Sequence, residues 1–253
     1  MKKIIIICST VLIAVICFLG IDKYKKENAI TIKELSKDNS YLILYIKNKD
    51  LDILFDLGLD NKRLYKCLKN NNLNLRQMNY VAISHRHSDH IGELSKMQNK
   101  NFSKETKILI NDKIFNEIRE KHRQKISKIK TIMRTQNDYS ISKNIIYTNS
   151  LLGSETTNGV TSEVYESFLI IKKHNKLTII SGCAHPGIIE MVEYAKKITG
   201  CDKINAVVGG LGVIGEKEAQ YLNNTKADIY PIHCTEYKEG SLLKVKTLPV
   251  VIK

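Results

Sequence analysis

The sequence predicts an α/β protein, because three short strand-like runs are each followed closely by a histidine and two of them lead into a helical pattern. The runs occupy residues 80–83, 176–180 and 227–232 of a 253-residue chain. Open sheets bind ligands beyond the carboxyl ends of their strands. Three histidine-bearing strand ends therefore predict a single ligand site at the edge of a sheet.

The first run leads directly into residues 84–90, which read SHRHSDH. This H-x-H-x-D-H pattern places four candidate metal ligands in six consecutive positions: His85, His87, Asp89 and His90. Imidazoles and carboxylates are ligands that zinc, iron and manganese accept. The chain has seven histidines and three of them lie here, a concentration that a solvated loop does not require.

The spacing within the motif indicates two metal positions. Successive side chains of an extended segment point to opposite faces, so His85 and His87 project the same way. Asp89 and His90 then open a segment with apolar residues at helical spacing over 91–97. Because the turn aims this second pair at a different point, the motif suits two ions about 3.5–4 Å apart.

Two further histidines follow the other strand-like runs. His185 lies in the tight turn 181–187, and a helix is predicted to begin near Ile188. His233 follows the third run directly. Convergence of the strand ends would bring both to the motif. The alternative for each is a histidine whose polar atoms are satisfied by the local backbone.

Cysteines flank these two histidines. Cys183 and Cys234 would each be a thiolate ligand if a nearby metal lowered the pKa of the thiol. The alternative is a small side chain packed at a crowded strand end. We favour packing for Cys234 and leave both interpretations open for Cys183, which lies where a bridging ligand would be needed.

The H-x-H-x-D-H run resembles the most specific motif of the metallo-β-lactamase superfamily, and residues 53–58 (ILFDLG) resemble its early aspartate motif. Residues 181–188 and 231–235 resemble a narrower group, typified by the dihydropterin ribofuranosyl-aminobenzene phosphate synthase-like proteins. Residues 165–169 match the acidic segment of that group. The resemblance extends over residues 30–245.

This resemblance implies an α/β fold of four layers, an αββα sandwich, with the metal site at one edge of its two sheets. It also implies two divalent ions, which we take to be zinc, with iron or manganese as alternatives. Carried over by position, the ligands of one ion would be His85, His87 and His185, and those of the other Asp89, His90 and His233. Asp56 would support the metal-binding loop from behind.

Two positions depart from the narrower group. Gly212 stands where the group carries a histidine after a Gly-Gly pair, and Glu236 stands where its last motif ends in glycine. The six ligand positions are unaffected. The missing histidine argues against the pterin chemistry of the group, because it alters proton transfer or substrate binding.

The site residues predict a metallo-β-lactamase-fold, metal-dependent hydrolase. Water bridging two cations loses a proton near neutral pH, and the hydroxide would attack an ester, phosphoester or lactone. Asp89 would be the catalytic residue, orienting this nucleophile or carrying its proton. Glu166 is a weaker candidate, either for support of the site or for substrate contact. The alternatives are a transferase that joins a phosphorylated sugar to a pterin-type ring and a non-catalytic metal-binding module on the cell surface.

Residues 1–28 form a segment distinct from the predicted domain, residues 29–253. A basic start is followed by an apolar run over 4–21 and then by charged residues. Eighteen helical residues at about 1.5 Å each span about 27 Å, close to the hydrocarbon thickness of a bilayer. We predict a transmembrane helix that anchors the domain outside the cytoplasm. The alternative is a cleaved signal and a secreted protein.

The net charge of +14 indicates anionic partners. Most of this charge lies outside residues 1–28, with a dense basic run over 119–134. It favours a small anionic substrate, such as one that carries a phosphate group, although a solvated charged face is the simpler explanation. Nucleic acid is less favoured, because no aromatic residues alternate with the lysines to stack on bases.

Overall fold

The computed structural model describes residues 29–36 and 39–252 and has a mixed α/β fold with two large sheets. The predicted anchor, residues 1–28, lies outside the described residues. None of the helices in the described ranges is long and apolar enough to cross a membrane. The division at residue 28 and the location of the protein in the cell stay predictions.

In the described residues the strands are β1 (Ile30–Glu34), β2 (Leu44–Lys47), β3 (Asp52–Phe55), β4 (Tyr80–Ala82), β5 (Lys107–Asn111), β6 (Ile132–Thr135), β7 (Tyr139–Ser142), β8 (Ile145–Tyr147), β9 (Leu151–Thr157), β10 (Val160–Glu166), β11 (Leu169–Lys173), β12 (Lys176–Ser181), β13 (Ile204–Gly209), β14 (Gly212–Ile214), β15 (Asp228–Pro231), β16 (Thr235–Tyr237) and β17 (Val250–Ile252). The helices are α1 (Asn61–Asn70), α2 (Ser88–Ile91), α3 (Asp112–Glu117), α4 (Glu120–Ile126), α5 (Ile188–Thr199) and α6 (Glu216–Thr225). Short 3₁₀ turns occupy Leu75–Gln77, Leu94–Lys96 and Asn99–Asn101.

The first sheet has seven strands in the order β17-β1-β2-β3-β4-β5-β6, and β3 to β6 are parallel neighbours. The second has six strands in the order β15-β13-β12-β11-β8-β7, with β12, β13 and β15 parallel. Two small ribbons complete the strands: the antiparallel hairpin β9–β10 and the parallel pair β14–β16. Each large sheet therefore contains a parallel block whose strands end at a common edge.

Both faces of the first sheet are buried. Leu54 and Val81 pack in a cluster with residues of α1 and α3, whereas their neighbours Phe55 and Ala82 pack against the second sheet. This follows from the two-residue period of strand side chains. Burial on both faces explains why β3 and β4 have near-continuous apolar sequences.

The second sheet has the same division. Ile180 and Val208 face the first sheet, and Ile179 and Val207 pack against α5 and α6. The order of layers is therefore helices, sheet, sheet, helices. The described residues have the four layers of the predicted αββα sandwich.

The segment after the motif differs from its prediction. A helix was expected to continue through residue 97, but α2 ends at Ile91, followed by Gly92 at φ +55°. A Cβ atom at Gly92 would lie 2.9 Å from the carbonyl oxygen of Gly58. This close backbone contact and the left-handed conformation end the helix after one turn. The prediction for α5, which begins at Ile188, is confirmed.

Candidate metal centre

The sequence-predicted ligands meet at one edge of the two sheets. The motif loop follows β4, the His185 turn follows β12, and His233 follows β15. Parallel pairing gives each sheet a common carboxyl edge, and the contacts of His85 with His185 and of His90 with His233 show that the two edges meet. The convergence predicted from three separate strand ends is therefore present.

Asp56 lies behind the motif loop, in the place that the resemblance gave to the early aspartate. Its side chain is fully buried. Oδ1 accepts a hydrogen bond of 2.7 Å from the backbone N–H of Ser84, and Oδ2 accepts one of 2.7 Å from the Ser84 hydroxyl. Oδ2 also lies 2.7 Å from His90 Nδ1. One carboxylate thus holds both ends of the loop.

Hydrogen-bond partners fix which nitrogen of His90 and which nitrogen of His233 faces the centre. His90 Nδ1 donates to Asp56, which only accepts, and His233 Nδ1 lies 2.8 Å from the carbonyl oxygen of Asn39. A neutral imidazole has one N–H, so each Nε2 carries a lone pair. These two Nε2 atoms lie 2.9 Å apart. A metal ion bound by both nitrogens would satisfy the two lone pairs, and without one a proton must lie on at least one of them.

Asp89 completes this second group. Its Oδ2 lies 3.1 Å from His233 Nε2 and 3.6 Å from His90 Nε2. Burial opposes the charge on His90, but the Asp56 carboxylate prevails and raises its pKa to about 9. Burial likewise opposes the charge on His233, and the bond to Asp89 raises its pKa to about 10. The second group strongly favours positive charge.

The first group consists of His85, His87 and His185. The Ser84 hydroxyl gives its proton to Asp56 and therefore accepts from His85 Nδ1 at 2.8 Å. This leaves a lone pair on His85 Nε2, which lies 3.0 Å from His87 Nδ1.

The His185 ring lies 4.8 Å from that of His85 and 4.9 Å from that of His87, between centroids. Among the described residues its buried Nε2 has no hydrogen-bond partner. Burial lowers the pKa of both His85 and His87, which keeps these rings in the neutral form that binds metals. An unsatisfied nitrogen beside two such rings fits a metal ion.

Glu166 fixes the turn that carries His185. Its buried carboxylate accepts backbone N–H bonds from Gly182 at 2.9 Å, Cys183 at 3.0 Å and His185 at 2.8 Å, and a further one from Ala184. Complete burial excludes contact with substrate. Of the two roles considered for Glu166, the structure therefore assigns support of the site.

Gly212 has a conformation that explains the absent histidine. Its φ is +67°, a region that disfavours side chains, and its N–H donates to the Cys234 carbonyl oxygen at 2.9 Å. A Cβ at this position would lie 3.3 Å from the carbonyl oxygen of Cys183. The Gly212 backbone therefore packs against the turns that carry Cys183 and Cys234. In the related group, a histidine side chain would occupy this position.

Both cysteines lie in the cluster. Cys183 Sγ is 3.1 Å from His90 Nε2. Cys234, which we expected only to pack at the strand end, has its Sγ within 4.8 Å of the ligand atoms of His90, His233 and Cys183. The Cys183 thiol beside it lowers the pKa of Cys234 well below its usual range. The one sequence signal for Cys234 was its position next to His233.

A cavity of about 570 Å³ opens beside the first group. Its wall includes the motif residues Arg86 and His87, the second arginine Arg119, and the apolar side chains of Ile118 and Ile126. It combines charged side chains of both signs, since Glu93 and Glu117 also line it, with apolar surface, as ligand pockets commonly do.

The four layers and the histidine-lined sheet edge define a metallo-β-lactamase fold. Among solved structures, Tm1679, a metal-dependent hydrolase of the β-lactamase superfamily, matches with a TM-score of 0.58 at 18% identity, over 88% of this chain and 98% of that one. The predicted four-layer fold is therefore confirmed for the described residues, and the anchor helix before it stays a prediction. A quorum-quenching N-acyl homoserine lactone lactonase gives a TM-score of 0.49 at 14% identity, over 88% and 98% of the two chains.

Sequence comparison finds the narrower group as well. The 7,8-dihydropterin-6-methyl-4-(β-D-ribofuranosyl)-aminobenzene-5'-phosphate synthase of Methanocaldococcus jannaschii is 26% identical over 228 residues, covering 75% of this chain and 77% of that protein. Residues 28–151 match the family described as anti-Pycsar protein Apyc1. The chain is thus similar both to a synthase of the predicted group and, over residues 28–151, to the Apyc1 family.

Proposed function

We propose that this protein is a hydrolase that uses two divalent metal ions to cleave an ester, phosphoester or lactone of an anionic small molecule. The observation that carries the proposal is the close pairing of imidazole nitrogens in two adjacent groups, His90 Nε2 with His233 Nε2 and His85 Nε2 with His87 Nδ1. Zinc is the ion that best suits these ligands, with iron and manganese as alternatives. When bound, two such ions supply an acidified water and polarise the oxygen atoms of the substrate.

Asp89 is the proposed catalytic residue. Its side chain is 28% exposed, whereas that of His90 beside it is 0% exposed. Burial raises the pKa of Asp89, but the hydrogen bond from His233 prevails and lowers it to about 2. An ionised carboxylate at the open side of the centre orients a nucleophilic water by accepting its hydrogen bond.

The cavity beside His87 supports an anionic substrate. Arg86 reaches the carboxylates of Glu117 at 3.7 Å and Glu155 at 3.3 Å, which hold its guanidinium at the cavity wall. Arg119 adds a second guanidinium to the lining. Guanidinium groups bind carboxylates and phosphates through paired donors, so we place the anionic part of the substrate on this side.

A second candidate function is a pterin-ribosyl transferase, which the M. jannaschii relative favours. Gly212 counts against it, because the position that carries a histidine in that group here carries no side chain. A non-catalytic metal-binding module is the third candidate, and turnover of any ester would exclude it.

Metal content and turnover of the full chain test these proposals. We expect two equivalents of metal by elemental mass spectrometry and hydrolysis of bis(p-nitrophenyl) phosphate, p-nitrophenyl acetate or γ-butyrolactone. His185→Ala should lose metal, and the matched control His174→Ala, at an exposed site, should keep it. Full metal occupancy without turnover of any ester or lactone would support the non-catalytic module instead.

We also propose, from the sequence alone, that residues 1–28 attach the domain to the membrane and place it outside the cytoplasm. Sedimentation of the full-length chain with membranes is the expected result. Recovery of a shortened protein in the medium would favour the cleaved signal.

A further inference from the structure

We propose that Cys183 is a thiolate ligand shared by both metal positions, and that Cys234 is a further ligand of the second position. This inference rests on the two-ion centre of the proposed function. It changes the centre from one of nitrogen and oxygen ligands to one that contains sulfur.

The position of the Cys183 sulfur carries the inference. Its Sγ lies within 4.8 Å of the ligand atoms of His85 and His185, and equally within 4.8 Å of those of His90 and His233. In the described residues, two sets of close ligand atoms occur, one with His85 and His185 and the other with His90, His233 and Cys234, and Cys183 is the one residue that belongs to both sets. The Cys183 Sγ lies 3.1 Å from His90 Nε2, the same nitrogen that faces His233 Nε2.

The other buried cysteines show what a packing role looks like in this protein. Cys67 lies in the apolar cluster between the first sheet and its helices, and Cys201 lies in the cluster under α5 and α6. Cys183 is buried to a similar degree, at 5% exposure, yet in the described residues it belongs to none of the three apolar clusters. Its thiol contacts a histidine nitrogen instead.

The backbone around Cys183 holds the sulfur in this place. Its N–H is bound by Glu166, and the preceding Gly182 accepts a hydrogen bond of 3.1 Å from the N–H of Gly210. A Cβ at Gly210 would lie 3.1 Å from the Cα of Cys183. The turn is thus bound on one side and closely packed on the other, so the backbone of Cys183 is held beside the centre.

The second thiol follows from the tight turn at His233. The residue has φ +49°, and the N–H of Thr235 donates to the His233 carbonyl oxygen at 2.7 Å. A left-handed conformation in a residue other than glycine is uncommon and is often retained for function. Here it brings the Cys234 sulfur into the same group as the imidazole of His233.

The chemical consequence is selectivity for a thiophilic ion. Thiolates favour zinc over manganese or magnesium, which prefer oxygen ligands. Each thiol releases its proton to solvent as its S–H bond is replaced by a sulfur–metal bond, so loading releases protons beyond those of an all-histidine centre. Among the metals that the histidines alone would accept, the proposal therefore favours zinc or iron over manganese.

The test is spectroscopic and uses the full chain loaded with Co²⁺ and, separately, with Zn²⁺. We expect thiolate-to-cobalt charge-transfer absorption in the near ultraviolet. Zinc X-ray absorption should show a sulfur shell at about 2.3 Å beside nitrogen and oxygen at about 2.0–2.1 Å. Cys234→Ala should lose part of the band and retain one tightly bound ion. Cys183→Ala should lose a larger part of the wild-type band than Cys234→Ala does, and it should weaken metal binding at both positions. The control Cys201→Ala should keep the full band.

Two bound ions with no charge-transfer band and no sulfur shell would overturn this inference while leaving the two-ion hydrolase in place. A chain that binds no metal would overturn both proposals. The X-ray absorption measurement needs only the wild-type chain, so the absence of a sulfur shell would overturn the inference even if Cys183→Ala does not fold.

Discussion

The two ligand groups differ in how their charge is arranged and in what holds them. The first contains three imidazoles, and burial keeps His85 and His87 neutral by lowering the pKa of each ring. The second contains the Asp89 carboxylate, and its His90 ring is bound from behind by the carboxylate of Asp56. The second group therefore attracts a cation more strongly, and we expect it to fill first when metal is added stepwise. The difference predicts that the two proposed metal positions have unequal affinity although both contain histidines.

The largest effect should come from removing the support of the first group. Glu166→Ala leaves four buried N–H groups of the 182–185 turn without their acceptor. A buried unsatisfied donor costs about 1–3 kcal/mol, so we expect the free energy of unfolding in urea to fall by about 3 kcal/mol or more. Glu163→Gln, at an exposed position on the same strand, is the matched control and should change it by less than about 0.5 kcal/mol. A Glu166→Ala variant as stable as the wild-type protein would show that the 182–185 turn does not depend on the Glu166 carboxylate.

Next in size is the effect of Asp89→Asn on turnover. We expect kcat to fall by about 100-fold or more, because the amide loses the negative charge that orients the nucleophile. At least one metal should remain by elemental analysis, since the first group is intact. Wild-type turnover in this variant would contradict the role given to Asp89.

Asp56→Asn should separate the two positions by affinity. The substitution removes the negative charge from the partner that fixes the His90 ring, without changing the size of the side chain. Loss of such a supporting partner costs about 10–100-fold in metal affinity. Competition with a chromophoric chelator should show this loss mainly at the second position. Equal weakening of both positions would mean that the loop moves as a unit.

The smallest effect is expected at the open side of the first group. Glu155 Oε2 lies 3.0 Å from His87 Nε2, but the carboxylate is partly exposed. Pairs of this kind contribute about 0–1 kcal/mol, so Glu155→Gln should change metal affinity by no more than about fivefold. Isothermal titration with zinc measures this, and a change of more than tenfold would make Glu155 a functional part of the first group.

The sequence predicted the parts of the centre that depend on local pattern. The motif histidines follow from strand periodicity, and His185 and His233 follow from their positions after strands. The place of Cys234 in the cluster could not be predicted, because it depends on the left-handed backbone of His233. The end of α2 was missed for a similar reason, since Gly92 contacts the backbone of a distant segment.

Glu166 illustrates a second limit. Its four hydrogen bonds join it to residues 16 to 19 positions further along the chain. No periodicity in the sequence records that a carboxylate and a distant turn will meet. Such a contact becomes visible only when β10 and the end of β12 are placed in three dimensions.

Asp56 binds Ser84 at the start of the motif and His90 at its end through a single carboxylate. The number of residues between Ser84 and His90 is consequently fixed, because an inserted or deleted residue would move one of the two away from the Asp56 carboxylate. We expect insertions and deletions to be tolerated better outside the motif, for example in the β9–β10 hairpin, whose residues are largely exposed. The chemistry can stay constant while the neighbouring surface changes what is admitted to it.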